Sequence, residues 1–257
     1  MSPGAGSAGA RLARPRGPGL AGPGRRRYSR PVEAGQGRLA TFLGVLEDGD
    51  RRRLRERGVV RRFARGAAIA HAGQPGDRVI VLVSGRVKLT RVTDDGRDVL
   101  LALRGPGDLI GEQSAIDGEP RSASIVALEP VEALAIPPAD FLAFVTATPA
   151  ASLFVMRLLN ARLRDADAKR VGFAAQDVVG RLAARLVELS ERFGTPAEDG
   201  VRIDLALTQE DLAGWVGSSR EATSRALQQM RSLGWVTTGR RAITCHDVDE
   251  LRRRAAA

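Results

Sequence analysis

The sequence has little of the chemical equipment that most metal sites and acid–base enzymes require. Its 257 residues include one cysteine, Cys245, and two histidines, His71 and His246. A single thiol cannot form an internal disulfide or hold an iron–sulfur or zinc–thiolate cluster. No Ser-His-Asp, Cys-His or Walker pattern is present, which argues against an enzyme. These absences favour a binding protein with no metal and no covalent cofactor.

Long apolar runs are also missing. No stretch approaches the roughly 18 consecutive apolar residues of a membrane span, and the arginine-rich start lacks the apolar core of a signal peptide. The expectation is a cytoplasmic protein without membrane contact. Hydrophobic residues still make up 43% of the chain, which is enough for real cores in one or two domains.

The net charge of +10 is distributed unevenly along the chain. Residues 1–36 hold seven arginines and one glutamate, whereas residues 177–257 hold twelve basic and twelve acidic side chains. Because residues 1–36 are rich in Gly, Pro and Arg without an apolar period, they are predicted to be a disordered tail. A loose nucleic-acid contact and a wrongly assigned start both fit this tail. Residues 218–241 hold five arginines and one glutamate, a local strip suited to phosphates.

Residues 37–149 are predicted to form short strands after one helix. An amphipathic helix is expected over about 37–60, with Phe42, Leu46 and Leu54 among its apolar residues. The following β-branched or alternating runs are cut by glycines at a spacing typical of an antiparallel sandwich or barrel. The segment "TDDGRD" at 93–98 predicts a hairpin tip, with Asp95 and Gly96 supplying positive φ angles.

The segment "GWVGSSREATSRALQQM" at 214–230 separates polar from apolar side chains at helical spacing. The polar side holds Arg220, Glu221, Ser224, Arg225 and Gln228, and the apolar side holds Ala222, Thr223, Ala226, Leu227 and Met230. Ser218 and Glu221 fit a capping box after a turn at Gly217. Leu212 and Val216 place a short helix before that turn. The pattern predicts a helix-turn-helix, whose second helix enters the DNA major groove; a helical hairpin with a solvated charged face is the alternative.

Residues 150–173 are predicted to form one long helix. Met156, Leu159, Leu163, Ala166 and Phe173 follow the spacing of a coiled-coil seam. Such a stripe either packs on its own domain or pairs two chains. Pairing is favoured, because a single helix-turn-helix usually needs a two-fold partner for its two half-sites.

A second hairpin is predicted after the helix-turn-helix. "GWVTTGRRAITCHD" has turn residues at Gly239, Arg240 and Arg241. A hairpin in this place makes a winged helix-turn-helix, and its two tip arginines would reach phosphates.

The stretch "GDLIGEQSAIDGEPRSASIVAL" at 107–128 is suited to a sugar phosphate. Backbone N–H groups near residues 112–115 can cradle an anion, Arg121 can bind two phosphate oxygens, and Glu112 can accept from a ribose 2′-hydroxyl. The alternative is a surface ion pair between Glu112 and Arg121, which would contribute only ~0–1 kcal/mol.

Taken in order, "DLIGE", "PRSA", a long helix and "GSSREATSR" resemble the cyclic-AMP receptor protein (Crp/Fnr) family of bacterial regulators, over about residues 40–250. The resemblance implies an α+β fold: a cyclic-nucleotide-binding β-roll (double-stranded β-helix) at 37–149, a dimerisation helix at 150–173 and a winged helix-turn-helix at 174–257. It also implies a homodimer on double-stranded DNA. Some members contact RNA polymerase at the loop that corresponds to 191–200.

The resemblance carries over to particular residues. Gly111, Glu112, Arg121 and Ser122 match the phosphate-binding cassette of nucleotide-binding members. Where cyclic-AMP responders place Thr and Ser against the adenine, this sequence has Ala166 and Asp167, of which Asp167 can still accept from an amino group. Cyclic AMP is the favoured effector, followed by another cyclic nucleotide or dinucleotide, and then by no ligand.

The DNA-facing residues carry over in the same way. Arg220, Glu221 and Arg225 match the positions that read TGTGA-type half-sites, since Arg pairs with guanine and Glu accepts from cytosine. Thr208 and Gln209 match residues that hold the first helix on the DNA backbone. Further members of the predicted DNA-binding set are Ser219, Ser224, Arg240 and Arg241.

Rival functions fit the sequence less well. A cyclic-nucleotide module for a kinase or channel would need no DNA-reading helix. Iron–sulfur and haem sensing lack ligands, because the cysteine lies in the predicted wing and the two histidines stand far apart in sequence. A regulator whose β-roll binds nothing is the closest competitor.

Overall fold

The computed structural model of the chain describes Met1, residues 41–94 and residues 96–257. The predicted tail over 1–36, apart from Met1, and Asp95 in the predicted hairpin tip lie outside the described residues. The described chain contains three four-stranded antiparallel sheets and eight helices.

The N-terminal part contains two of the sheets. Its strands are β1 (Val59–Phe63), β2 (Ala68–Ala70), β3 (Val79–Ser84), β4 (Val87–Val92), β5 (Asp98–Arg104), β6 (Leu109–Ile110), β7 (Ser124–Ala127) and β8 (Val131–Ile136). The strand order is β1-β8-β3-β6 in one sheet and β2-β7-β4-β5 in the other. Every pairing is antiparallel, so the predicted antiparallel strand domain is confirmed.

Strand β3 lies between the two halves of the N-terminal core. Val79, Ile80, Val81 and Leu82 are all buried. Val79 and Val81 belong to a core built with helices, whereas Ile80 and Leu82 belong to the core shared by the two sheets. Successive side chains of a strand point to opposite faces. A strand covered on both faces therefore needs the unbroken apolar run that this segment has.

The first helix is shorter than predicted. Helix α1 spans only Asp48–Glu56, residues 42–46 form turns and bends, and Val59 already begins β1. Arg51 Nε donates to the carbonyl oxygens of Leu43 (2.9 Å) and Leu46 (3.0 Å). This side chain of α1 therefore stabilises the turns at 42–46 that precede the helix. The prediction over 37–60 was wrong in extent because it followed apolar spacing alone. Phe42, Leu46 and Leu54 are nevertheless buried.

Helices α2 (Glu112–Asp117) and α3 (Pro138–Ala147) precede the long helix α4 (Pro149–Ala175). The helix predicted over 150–173 is confirmed. Phe154 and Val155 of α4 are buried against the N-terminal core, and Leu159 packs at its edge. Met156, Leu163 and Phe173 are 55%, 61% and 51% exposed. Helix α4 thus has one apolar side covered by its own chain and a second open to solvent.

Among the described residues, no single helix has the length and apolar content to cross a membrane. Helices α3 and α4 meet those criteria only as a pair, and they are bent by 111° relative to each other. Phe141 and Phe144 of α3 are buried in the N-terminal core.

The C-terminal part is a winged helix-turn-helix. Its elements are α5 (Val178–Phe193), β9 (Gly194–Ala197), β10 (Gly200–Ile203), α6 (Gln209–Val216), α7 (Arg220–Ser232), β11 (Val236–Gly239), β12 (Ala242–Cys245) and α8 (Val248–Ala256). The sheet order is β11-β12-β10-β9. The stretch 191–200, expected as a surface loop, holds the end of α5 and most of the β9–β10 hairpin. The hairpin predicted around Arg240 and Arg241 is confirmed as β11–β12.

The turn between α6 and α7 differs from the prediction in its cap. Gly217 adopts φ 61° in the left-handed region, and the Ser218 N–H donates to Ala213 O (3.0 Å). Ser218 therefore helps to close α6. The N-cap of α7 is Ser219, whose hydroxyl accepts from the Ala222 N–H (3.2 Å). The capping box predicted for Ser218 and Glu221 was wrong by one residue.

The two parts share buried side chains. Leu100 and Leu103 of β5 lie in the same core as Leu212 and Trp215 of α6. Arg192 at the end of α5 donates to Asp108 Oδ2 (2.9 Å) and to Leu103 O (3.1 Å). The core of the C-terminal part therefore includes residues of the β-roll.

The sole cysteine lies in the wing and faces inward. Cys245 is fully buried in the C-terminal core. Burial raises the pKa of its thiol to about 12.

Gly217→Ala should lower the free energy of unfolding by about 1–2 kcal/mol, because a side chain in the left-handed region is strained. An added Cβ would also lie 2.5 Å from the Phe173 ring. Urea denaturation measures the change. Gly49→Ala in α1 is the matched control, since no atom lies within 4 Å of its added Cβ; it should be neutral or slightly stabilising. Equal losses in both variants would contradict the role of Gly217.

Candidate effector pocket and nucleic-acid interface

Gly111 and Arg121, ten positions apart in sequence, touch in the folded chain. Gly111 caps α2 with φ 84°, and a Cβ at this position would collide with the Arg121 guanidinium and lie 3.1 Å from Arg78 O. Only glycine leaves room for the arginine at this angle. The positive φ and the close approach therefore explain the glycine next to Glu112.

Arg121 is a buried cation held by the turn before β3. Its Nη2 donates to Arg78 O (2.5 Å) and lies 3.4 Å from Asp77 Oδ1. Its backbone N–H donates to Gln74 O (2.9 Å), which fixes the segment before β7. Hydrogen bonding from Arg78, with a smaller part from Arg121, holds the pKa of Asp77 below its usual value. Arg121 is thus oriented by an ionised carboxylate and a carbonyl, both of which a phosphate can replace.

Glu112 does not pair with Arg121. Its side chain is fully buried, and its Oε1 accepts from Arg162 Nη1 of α4. Arg162 Nη2 donates in turn to Leu109 O (2.6 Å) on β6. The exposed Glu112–Arg121 pair that stood as the alternative is therefore absent, and a buried pair joins the pocket to the long helix instead.

Two polar atoms of this pair lack partners. Among the described residues, no hydrogen-bond partner reaches Glu112 Oε2 or Arg162 Nε, and both atoms are buried. A buried acceptor without a donor is costly. Glu112 Oε2 is therefore an acceptor open to a ligand hydroxyl or to water.

The cavity between these groups is small. Leu89, Ser114, Arg121, Ser122 and Arg162 are among the residues that line a volume of about 40 Å³. Pockets for small organic ligands hold ~300 Å³ or more. A nucleotide could enter only if the lining side chains moved apart.

A third arginine adds positive charge behind the pocket. Burial, together with the charges of Arg162 and Arg192, lowers the pKa of Arg104 to about 10, so this side chain is still a cation at neutral pH. Its Nη1 donates to Leu103 O (2.8 Å). The excess of guanidinium groups around Glu112 favours an anionic ligand.

The structure brings together four of the five predicted ligand residues. Gly111, Arg121 and Ser122 line the cavity, and Glu112 lies buried beside it. Asp167 does not line the cavity: it is exposed on α4, with Oδ1 3.9 Å from Arg170 Nη1. Ala166 is exposed as well. Within one chain, neither residue is placed to contact a bound base.

Arg162 and Asp77 were missed from the sequence. Arg162 follows Leu158 and Leu159, which pack at the edge of the core, at the spacing of one helical turn. That spacing was a usable signal for an inward-facing arginine. Asp77 gave none, because its approach to Arg121 depends on a contact between positions 44 residues apart.

The predicted reading face of α7 is exposed. Arg220, Glu221 and Arg225 lie on the solvent side, while Thr223, Ala226, Leu227 and Met230 are buried. The backbone N–H of Glu221 and the Ser219 hydroxyl lower the pKa of Glu221, with Arg220 and Arg225 contributing. Glu221 is therefore an exposed carboxylate acceptor near two arginine donors, and these side-chain types can pair with cytosine and guanine edges.

The other predicted DNA-facing residues surround this helix. Ser224 is half-buried and Gln209 is exposed at the start of α6. Thr208 caps α6 in a capping box with Asp211. Arg240 and Arg241 are exposed at the wing tip, and Arg241 has φ 61°. Arg231 Nη1, which the prediction did not include, donates to Thr238 Oγ1 (3.3 Å) and links α7 to the wing.

Comparisons with known proteins match both halves of the chain. Residues 60–148 match the cyclic nucleotide-binding domain, and residues 180–254 match the Crp-like helix-turn-helix domain. A CRP-like cAMP-activated global transcriptional regulator of Mycobacterium tuberculosis is 35% identical over 193 residues, which cover 75% of this chain and 86% of that protein. The cyclic AMP receptor protein of Thermus thermophilus is 34% identical over 70% of this chain and 80% of its own.

Solved structures agree with the fold. A CRP/FNR family regulator from Thermus thermophilus has a TM-score of 0.66 at 27% identity, over 77% of this chain and 99% of its own. The c-di-GMP responsive global regulator CLP of Xanthomonas campestris has a TM-score of 0.68 at 23% identity, over 78% and 99% of the two chains. The relatives are regulators, which confirms that the chain is not an enzyme. It belongs to the Crp/Fnr family of DNA-binding transcriptional regulators, with a cyclic nucleotide-binding domain ahead of its helix-turn-helix.

Proposed function

We propose that this regulator is a homodimer that binds a pseudo-palindromic, TGTGA-like operator under the control of cyclic AMP. The observation that carries the effector half is the buried acceptor Glu112 Oε2 beside the buried cation Arg121. A carboxylate oxygen without a donor suits a ribose hydroxyl, and a guanidinium suits a cyclic phosphate. Both groups occur together in a sugar phosphate.

Ligand entry would change the contacts of α4. The cavity of about 40 Å³ opens only if lining side chains move, and Arg162 is the one that α4 contributes. A ligand hydroxyl on Glu112 would share the carboxylate with Arg162. The effector thus acts on the middle of the long helix, at Arg162, and it shifts a two-state element without touching DNA.

The exposed side of α4 supports pairing of two chains. Met156 and Leu163 are mostly exposed in the single chain, and Phe173 is 51% exposed although its ring lies near Gly217 and Arg181. Contiguous exposed apolar surface on a helix marks an interaction site. Two-fold pairing along this side of α4 would place the two α7 helices about 34 Å apart, one turn of DNA, so that each enters a major groove.

Named relatives support the effector assignment. The Mycobacterium tuberculosis relative is described as cAMP-activated, and the Thermus thermophilus relative as a cyclic AMP receptor. Ala166 and Asp167 depart from the responders' Thr and Ser and are exposed here. Because of that departure, another cyclic nucleotide or dinucleotide is the second candidate.

RNA polymerase is proposed as a partner at the β9–β10 hairpin.

Arg121→Lys should weaken cyclic AMP binding by at least about 10-fold, because lysine keeps the charge but cannot bind two phosphate oxygens in parallel. Titration calorimetry of the full chain with cyclic AMP and cyclic GMP measures the change. Arg62→Lys on exposed strand β1 is the matched control and should bind like the wild type. Unaltered affinity in Arg121→Lys would contradict the phosphate contact assigned to Arg121, and no binding of cyclic AMP by the wild type would remove cyclic AMP from the proposal.

Arg220→Ala should cost about 1–3 kcal/mol in operator affinity and relax the preference at one base pair, because a bidentate guanine contact is lost. Competition binding against half-site variants measures this preference. Arg240→Ala is the comparison: a phosphate contact carries no sequence information, so all DNA sequences should weaken about equally. An Arg220→Ala protein that keeps its half-site preference would show that the reading face is assigned wrongly.

A further inference from the structure

The chain has 40 basic residues, of which only two, Lys88 and Lys169, are lysines. Both contact the junction between the β-roll and the helices that follow it. Lys169 Nζ on α4 donates to Leu101 O of β5 (3.0 Å). Lys88 Nζ on β4 donates to Asp211 Oδ1 of α6 (2.5 Å) and lies 4.0 Å from Asp98 Oδ2.

The Lys88–Asp211 pair is largely withdrawn from solvent. The two side chains are 18% and 9% exposed. Burial opposes the ionisation of Asp211, but hydrogen bonds from Lys88 and Thr208 outweigh it and hold the pKa of Asp211 below its ordinary value. Removing the lysine would leave a buried carboxylate without its cation, so the contact is not interchangeable with a surface ion pair.

Asp211 also caps the N-terminus of α6 together with Thr208. Its Oδ2 accepts from the Thr208 N–H (2.9 Å) and the Thr208 hydroxyl (2.8 Å), while its own N–H donates to Thr208 Oγ1 (3.0 Å). Lys88 therefore contacts the carboxylate that fixes Thr208. Lys88 of the β-roll is therefore linked, through the Asp211 side chain, to Thr208, which is a predicted DNA-backbone contact.

Close backbone packing surrounds this contact. A Cβ added to Gly214 of α6 would lie 2.6 Å from Asp98 O and 3.4 Å from Leu100 N of β5. Strand β5 also accepts from Lys169 of α4 at Leu101 O and carries Arg104 beside Arg162. Strand β5 therefore contacts both α4, which carries Arg162, and α6.

We propose that Lys88 is a positioning residue: through Asp211 it sets the placement of α6 against the β-roll and so couples the effector pocket to DNA binding. The coupling part rests on the proposed function, whereas the positioning part does not. Among the described residues, Lys88 neither lines the cavity nor belongs to the reading face of α7. Its removal should therefore change the coupling between the two sites, while the residues of each site keep their own contacts.

The positioning part is tested by amide hydrogen exchange in ligand-free, full-length protein. Lys88→Met should speed exchange at least about 10-fold in both α6 and β5, because the docked surfaces open to water. Lys88→Arg should restore most of the protection. Arg202→Met, which breaks an exposed ion pair with Asp204 within the C-terminal part, is the matched control and should exchange like the wild type.

Gly214→Ala separates undocking from damage to α6. Alanine favours the helix itself, but its methyl group would meet Asp98 O across the junction. It should therefore expose β5 as Lys88→Met does while α6 stays helical by circular dichroism. Wild-type exchange of β5 in Lys88→Met would overturn the positioning role, whatever Gly214→Ala shows.

The coupling part is tested by operator affinity with and without cyclic AMP at fixed salt. In Lys88→Met the ratio of the two affinities should fall at least about fivefold towards one, while calorimetric affinity for cyclic AMP stays within about twofold of the wild type. A wild-type ratio in a variant whose exchange has changed would overturn the coupling. A wild type that shows no response to cyclic AMP would sink the cyclic-AMP proposal, and the exchange data would still decide the positioning role.

Discussion

The buried ion pair between Glu112 and Arg162 is the contact on which the arrangement of the molecule depends. It joins the short helix after β6 to the middle of α4, and Arg162 adds a bond to Leu109 O. Such a pair repays its desolvation only when the geometry and the remaining hydrogen bonds are good. Here Glu112 Oε2 and Arg162 Nε have no partner among the described residues. The pair therefore joins α2 to α4 and leaves two buried polar atoms that a ligand or water could complete.

The two apolar sides of helix α4 have different surroundings. Phe154 and Val155 complete the N-terminal core, while Leu163 and Phe173 remain exposed in the single chain. The same helix therefore carries the pocket contact, the exposed apolar residues and, beyond Ala175, the connection to α5. A small rotation of α4 at Arg162 would displace all three, since a packed helix moves as a rigid element.

Local sequence patterns determined much of the fold and part of the site. The two faces of α7 and the hairpin at Gly96 follow from spacing and turn chemistry. The family resemblance assigned Gly111 and Arg121 to one pocket, but it did not predict that they touch. The limits of α1 did not, because Arg51 closes the preceding turn through its side chain. Asp77 and the Lys88–Asp211 contact could not be predicted from spacing, because they join positions that are 44 and 123 residues apart. Spacing could indicate that Arg162 faces inward, but not that its partner is Glu112, 50 positions away.

The enclosed thiol of Cys245 is protected from oxidants and alkylating reagents by the C-terminal core. Burial raises the pKa of this thiol to about 12, so the thiol form dominates at neutral pH, whereas the thiolate is the reactive form. Reaction then requires the surrounding core to open transiently. The rate at which this single thiol is modified would therefore report how often the core of the DNA-binding part opens.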